Sequence, residues 1–206
     1  MTEPGAEESK AAPLSAVVIR SIRPADAAGL QAFHGRLSDD TIRNRFLGPH
    51  PVLRDAEAHR FTALARGEGA ALVAIVDEVI VAAGRYVRLS GGDAAEVAFV
   101  VEDPYQCRGI GTALLTLLAH IAWDDGIRHL VAGTFATNRA MLDVFMHTPH
   151  AVTVMNTRGD GSVVHLVMGV VPPDSMLSSA SEPAGLPARS RHAEVVGGIS
   201  GLADEL

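Results

Sequence analysis

The stretch Gln106-Cys107-Arg108-Gly109-Ile110-Gly111 lies between an apolar run, Val97-Ala98-Phe99-Val100-Val101, and a leucine-rich segment of helical periodicity from Ala113 to Trp123. Strand, glycine-rich turn and helix follow one another. That order restricts the chain to folds in which a sheet delivers the backbone into a helix N-terminus. The first turn of such a helix leaves N–H groups unpaired, and the helix dipole adds partial positive charge there. This geometry binds phosphate, and the glycines let a ligand approach the backbone closely. The middle of the chain is therefore expected to hold an anionic, phosphorylated ligand.

Two common phosphate motifs do not fit the turn. A nucleoside-triphosphate loop requires Lys and then Ser or Thr after its last glycine, whereas Gly111 is followed by Thr112 and Ala113. A dinucleotide fingerprint requires a third glycine for close helix–strand packing; Leu114 stands there and is too bulky. Glycines alone leave open a simple turn without a ligand.

The rest of the chain reads as one folded unit, residues 16–172, between an N-terminal tail, 1–15, and a C-terminal tail, 173–206, both rich in small and polar residues. Val17 to Arg20 is a first strand. Pro24 starts a helix running to Leu37, Ser38-Asp39-Asp40 caps a short second one through Phe46, and a third spans Arg54 to Ala65. Strands at Ala70–Val76 and Val79–Leu89 form a hairpin on Asp77-Glu78, and Ala94 to Val101 is the next strand. The central helix carries a stripe of Leu114, Leu117, Leu118 and Ile121. A strand at His129–Ala132, a helix at Asn138–Met146 and a terminal antiparallel pair around Gly159-Asp160-Gly161 complete the order. The expected class is α/β in the α+β sense: one central sheet, mixed but mostly antiparallel, with helices on both faces.

Composition narrows the function. Net charge is −7, so no nucleic-acid partner is expected, and an acidic surface suits cationic substrates such as amines. The single cysteine, Cys107, excludes an internal disulfide and fits a reducing compartment. No apolar run reaches the ~18 residues of a membrane span, and the polar start, Met1 to Lys10, does not fit a signal peptide. A cytoplasmic protein is expected. No metal is expected either: His147 and His150 have Pro149 between them, and no Cys pair or His-Glu helix motif supports them.

The segment Ala95 to Val101 followed by Gln106-Cys107-Arg108-Gly109-Ile110-Gly111-Thr112-Ala113-Leu114-Leu115 resembles the acyl-CoA-binding core of the GNAT superfamily of N-acetyltransferases, with Gln106, Gly109 and Gly111 at the family's pattern positions. Arg20 to Asp26 resembles its opening strand and helix start, and Asn138 to Leu142 its later helix, whose Asn lies near the cofactor. Leu37 to Pro49 and Asn138 to Phe145 are similar to segments of bacterial protein-lysine acetyltransferases. The relatives often carry a further regulatory or synthetase module, for which 206 residues leave no room.

The resemblance implies acetyl-CoA as co-substrate. Gln106, Cys107, Arg108, Gly109, Ile110, Gly111 and Thr112 would hold its pyrophosphate, Phe99, Val100 and Val101 its pantetheine arm, and Asn138 would lie beside it. An alkylammonium of pKa ~10.4 must lose a proton before it attacks a thioester. Glu96 is the candidate base, the only acid in the apolar strand, sharing a face with Ala98 and Val100. The implied acceptor is a protein lysine or a small amine, and a homodimer is compatible with the family.

Two features depart from the pattern. Phe145 stands where many members carry a Tyr that protonates the leaving thiolate, and His147-Thr148-Pro149-His150 replaces the usual Gly-Phe. Both favour a rival reading, a non-catalytic acyl-CoA sensor. Arg43 and Arg45 are read as a solvated helix face, and Arg108 as a further phosphate contact.

Overall fold

The computed structural model describes residues 16–172, apart from 66, 149, 151 and 157–161. The two tails and the turn at Gly159-Asp160-Gly161 lie outside the described residues. Among the described residues are seven strands, β1 Val18–Ser21, β2 Gly69–Val76, β3 Val79–Arg88, β4 Ala94–Val101, β5 His129–Phe135, β6 Val152–Asn156 and β7 Val163–Gly169. The helices are α1 Ala27–His34, α2 Asp39–Phe46, α3 Asp55–Thr62, α4 Ile110–Asp124 and α5 Arg139–Met146. The strands form one sheet in the order β1-β2-β3-β4-β5-β7-β6. Every neighbouring pair is antiparallel except β4–β5. The mixed, mostly antiparallel sheet expected from the sequence is therefore present.

Local chemistry explains several boundaries. Asp77 and Glu78 have φ of 47° and 65°, the doubly left-handed turn whose twist matches a two-residue hairpin. Ser38 Oγ accepts the Thr41 N–H at 3.2 Å and caps α2. Asn138 caps α5 by accepting from the Met141 N–H at 3.1 Å. The first helix is shorter than expected. A 3₁₀ turn, Pro24–Asp26, precedes α1, and Gly35 ends it, glycine being a poor helix former.

Helices cover both faces. Leu72, Val97 and Leu166 pack with α4 and Phe145 of α5 in one core, while Val73 and Ile80 pack with α1 to α3 in the other. The stripe on α4 differs from the sequence reading. Leu114, Leu115, Leu118, Ala119 and Ala122 are fully buried, whereas Leu117 is 40% exposed. The helix turns its alanines to the sheet, which rotates the seam by one position.

Three ties fasten α2 and its approach to the chain beyond β4. Arg36 grips Glu102 in a fork, Nε to Oε1 at 3.0 Å and Nη2 to Oε2 at 2.9 Å. Asp103 accepts the Ser38 hydroxyl at 2.6 Å, the Thr41 hydroxyl at 2.9 Å and the Ser38 N–H at 3.1 Å. Gln106 Nε2 donates to Val101 O at 3.0 Å and to Thr41 Oγ1 at 3.1 Å. Burial works to raise the Asp103 carboxyl, but the bonds from Ser38 and Thr41 outweigh it and hold its pKa below the ordinary value.

A carboxyl depressed in the fold contributes stability above its unfolded pKa and loses it as pH falls through the folded one. Asp103→Asn should therefore flatten the loss of thermal stability as pH falls below about pH 5, read as melting temperature against pH; an unaltered limb would show the ties to be energetically idle. Phe145, at 0% exposure, stacks 6.3 Å from Phe99. Phe145→Ala should cost about 3–5 kcal/mol, measured by urea unfolding, and a loss under about 1 kcal/mol would contradict its place in the core.

Candidate active site

The parallel ladder between β4 and β5 has three rungs, Ala94 to His129, Ala95 to Leu130 and Glu96 to Val131, and then stops. Both strands continue, β4 to Val101 and β5 to Phe135, so they part beyond Glu96. The gap is a cleft of about 440 Å³. Ala98 to Val101 form one wall and Gly133 and Thr134 the other, with Thr41, Asn44 and Arg45 of α2 and residues of α5 around them. Facing backbone edges without ladder partners need hydrogen bonds from elsewhere. The Val101 carbonyl has one from Gln106.

The glycine turn closes one end. Cys107 at φ 56° and Gly109 at φ 81° are both left-handed, and Gly109 is the N-cap of α4. Alternating backbone hand of this kind turns successive N–H groups into one concavity, at the positive end of the helix dipole. A Cβ on Gly111 would lie 3.4 Å from both Phe99 Cε2 and Val144 Cγ2, so the first turn of α4 rests directly on the cleft wall.

Most of the residues expected to meet the ligand come together here. Phe99, Val100, Val101, Gln106, Cys107, Gly109, Ile110, Gly111, Thr112 and Asn138 all line the cleft. Gln106 does so with its amide nitrogen committed to Val101 and Thr41, so it braces the loop. Arg108 is not on the cleft wall; its guanidinium carbon stands 5.9 Å over the Tyr105 ring.

Glu96 sits at the apex where the strands part, half-buried, and is not on the cleft wall. It lies one residue pair below Ala98, about 7 Å along the strand. Burial pushes its carboxyl above the ordinary value, and Arg45 and Arg85 pull it part of the way back. Those two guanidiniums are the residues that sequence reasoning missed. Arg45 is not on a solvated face as expected: it is only partly exposed and borders the cleft. Burial lowers its pKa to about 10, which still leaves it charged at neutral pH. The available signal was spacing, since Arg45 follows buried Ile42 by one helical turn. Arg43, by contrast, is exposed, with its guanidinium carbon 4.8 Å over Phe135. Arg85, on β3 directly across from Ala98, is lowered by burial and raised by Glu96 and Glu57.

Phe145 is in the core and not on the cleft wall. Thr134 is the hydroxyl on the β5 side, with only a long 3.5 Å bond to the Phe135 carbonyl.

Comparison with known proteins accounts for this arrangement. Residues 37–147 match the model of the acetyltransferase (GNAT) family. An acetyltransferase of Pseudomonas aeruginosa is 30% identical over 132 residues, which covers 62% of this chain and 71% of that protein. The crystal structure of the GNAT domain of PAT from S. lividans superposes with a TM-score of 0.67 at 33% identity, covering 73% of this chain and 89% of that one. The fold also matches yncA of Salmonella typhimurium, solved with its cofactor acetyl-CoA, at a TM-score of 0.60, 19% identity and coverage of 84% and 100%. With the family model spanning more than half of its length, a splayed β4–β5 pair and a glycine turn at the head of α4, the chain belongs to the GNAT acetyltransferase family.

Proposed function

We propose that the folded unit, residues 16–172, moves an acetyl group from acetyl-CoA to a primary amine by direct attack in a ternary complex. One observation carries this reading: β4, parted from β5 beyond Glu96, leads through a 3₁₀ turn at Asp103–Tyr105 into the left-handed turn at α4. An amide-rich arm that ends in a pyrophosphate fits such a slot, the arm on the free edge of β4 and the phosphates on the N–H groups of residues 107–112. The acetyl-CoA in the yncA structure supports the choice of ligand.

The chemistry follows from the apex. Glu96 takes a proton from the ammonium, through a bridging water given its distance from the cleft wall. The freed nitrogen attacks the thioester carbonyl carbon; as the C–S bond breaks, the adduct nitrogen gives up its second proton, which passes through water to the departing thiolate and leaves the amide and the CoA thiol. A protein lysine is the first acceptor reading, supported by the resemblance of Leu37 to Pro49 and Asn138 to Phe145 to segments of bacterial protein-lysine acetyltransferases. The single cysteine supports a cytoplasmic setting; among the described residues no helix is long and apolar enough to cross a membrane.

Glu96→Gln should lower kcat with acetyl-CoA and an amine at least about 100-fold, with acetyl-CoA affinity nearly unchanged. Because burial raises the Glu96 pKa and the base works ionised, kcat/KM of the parent enzyme should rise with pH through a point above the ordinary carboxylate value. The variant should lack that limb. Thiol release followed against pH checks both; an unchanged rate and profile would remove Glu96 from the mechanism. Binding of acetyl-CoA with no thiol release from any amine would favour the sensor reading.

A further inference from the structure

A second cavity of about 60 Å³ lies under α1 to α3 and shares Arg45, Ala98 and Val100 with the acetyl-CoA cleft, so the two spaces meet across β4. Its wall is apolar apart from Arg45, Arg85 and His34. The two arginines are set unlike the other partly buried ones among the described residues; Arg43 and Arg108, which also lie over rings, are exposed. Arg20 and Arg36 each grip a carboxylate in a two-bonded fork. Arg45 and Arg85 make no hydrogen bond or ion pair to any described residue. Each instead has an aromatic ring against its guanidinium, Phe46 at 5.0 Å from the Arg45 carbon and Phe61 at 4.3 Å from that of Arg85.

A ring occupies the face of a guanidinium and leaves its N–H edge free. The acids nearby do not take that edge. Glu96 acts on both arginines only through space. Glu57 has its carboxylate 3.0 Å from His50 Nε2. Arg60, exposed on α3, adds positive charge that acts on Arg85. Two partly buried cations thus face one half-buried acid, and a buried charge without an acceptor is costly. A carboxylate is the group that meets guanidinium edges with two parallel bonds.

We propose that Arg45 and Arg85 form a carboxylate-binding subsite beside the reacting centre, so that one of the two substrates, acyl donor or amine acceptor, carries a carboxylate. The proposal rests on the acyl-transfer reading and narrows its substrate class. The cavity has room for a short carboxylated chain, since about 10–15 Å³ of such space already holds one water. In the donor case the acyl group extends past Ala98 toward Arg85. In the acceptor case the amine stays near Glu96 and its carboxylate reaches the arginines.

Calorimetric titration of the full chain separates the two sources. The donor arm compares succinyl-CoA with butyryl-CoA. The acceptor arm compares leucine with leucinamide, and β-alanine with its amide, on CoA-saturated protein. In one arm the carboxylated ligand should bind at least about tenfold tighter. Arg85→Gln and, separately, Arg45→Gln should each erase most of that ratio, and Arg85→Lys should keep part of it. Equal affinities within both arms, or a preference that survives both glutamine variants, overturns the proposal. Binding needs no turnover, so the two readings fail separately. Thiol release with neutral amines and no carboxylate preference removes the subsite and leaves acetyl transfer. A carboxylate preference without thiol release from acetyl-CoA does the reverse.

Discussion

The parting of β4 from β5 after Glu96 is the constraint on which the rest depends. A parallel pair inside a sheet ordinarily runs its full length, because each unmet backbone group is costly. Here pairing ends after three rungs, and neighbouring elements hold the strands apart. Phe99 stands on Phe145 on one face. On the other, α2 lies over the gap, fastened by Arg36, Ser38 and Thr41 to Glu102 and Asp103. Gln106 bridges Val101 and Thr41 at the open end. The glycine turn follows directly, so the head of α4 looks down the gap. The slot and the left-handed turn at its end are two results of one packing arrangement.

The same arrangement sets the electrostatics at the apex. Burial is the largest influence on Glu96 and raises its pKa, while Arg45 and Arg85 oppose it less strongly. The net upward shift suits a base that works near neutral pH. A carboxylate seated on the arginines would offset their pull and leave burial less opposed. Under the proposed subsite, binding of the acidic substrate and strengthening of the base therefore go together, both through the charge on the two guanidiniums.

Features governed by local chemistry were legible in the sequence. Asp77-Glu78 marks the hairpin, Ser38 the cap of α2, and the strand–glycine–helix order the turn at the head of α4. Alternation also placed Glu96 on the face with Ala98 and Val100, where it is found. What could not be read is tertiary. The place where the β4–β5 ladder stops depends on α2 and α5, which are distant in sequence. Isolated arginines are usually solvated, and the inward direction of Arg45 follows instead from the docking of α2 on buried Ile42. Hydrophobicity alone places Leu117 in the core, whereas the small side chains of Ala119 and Ala122 set which seam of α4 faces the sheet.

The Phe145 departure loses force once the proton requirements are weighed. An alkylammonium of pKa ~10.4 lies about 3.4 units above neutrality, so freeing its nitrogen costs about 4.6 kcal/mol at pH 7. A thiol of pKa ~8.5 lies about 1.5 units above, and releasing it as thiolate costs about 2 kcal/mol. The base therefore carries the larger burden, and a fixed acid adds comparatively little. Phe145 is fully buried against Phe99 and does not reach the cleft. A phenol in its place would need a hydrogen-bond partner inside an apolar core. The chain thus combines a half-buried acid of raised pKa at the apex with a core phenylalanine that stays out of the cleft. That combination is consistent with acetyl transfer whose thiolate takes, through water, the second proton of the attacking nitrogen.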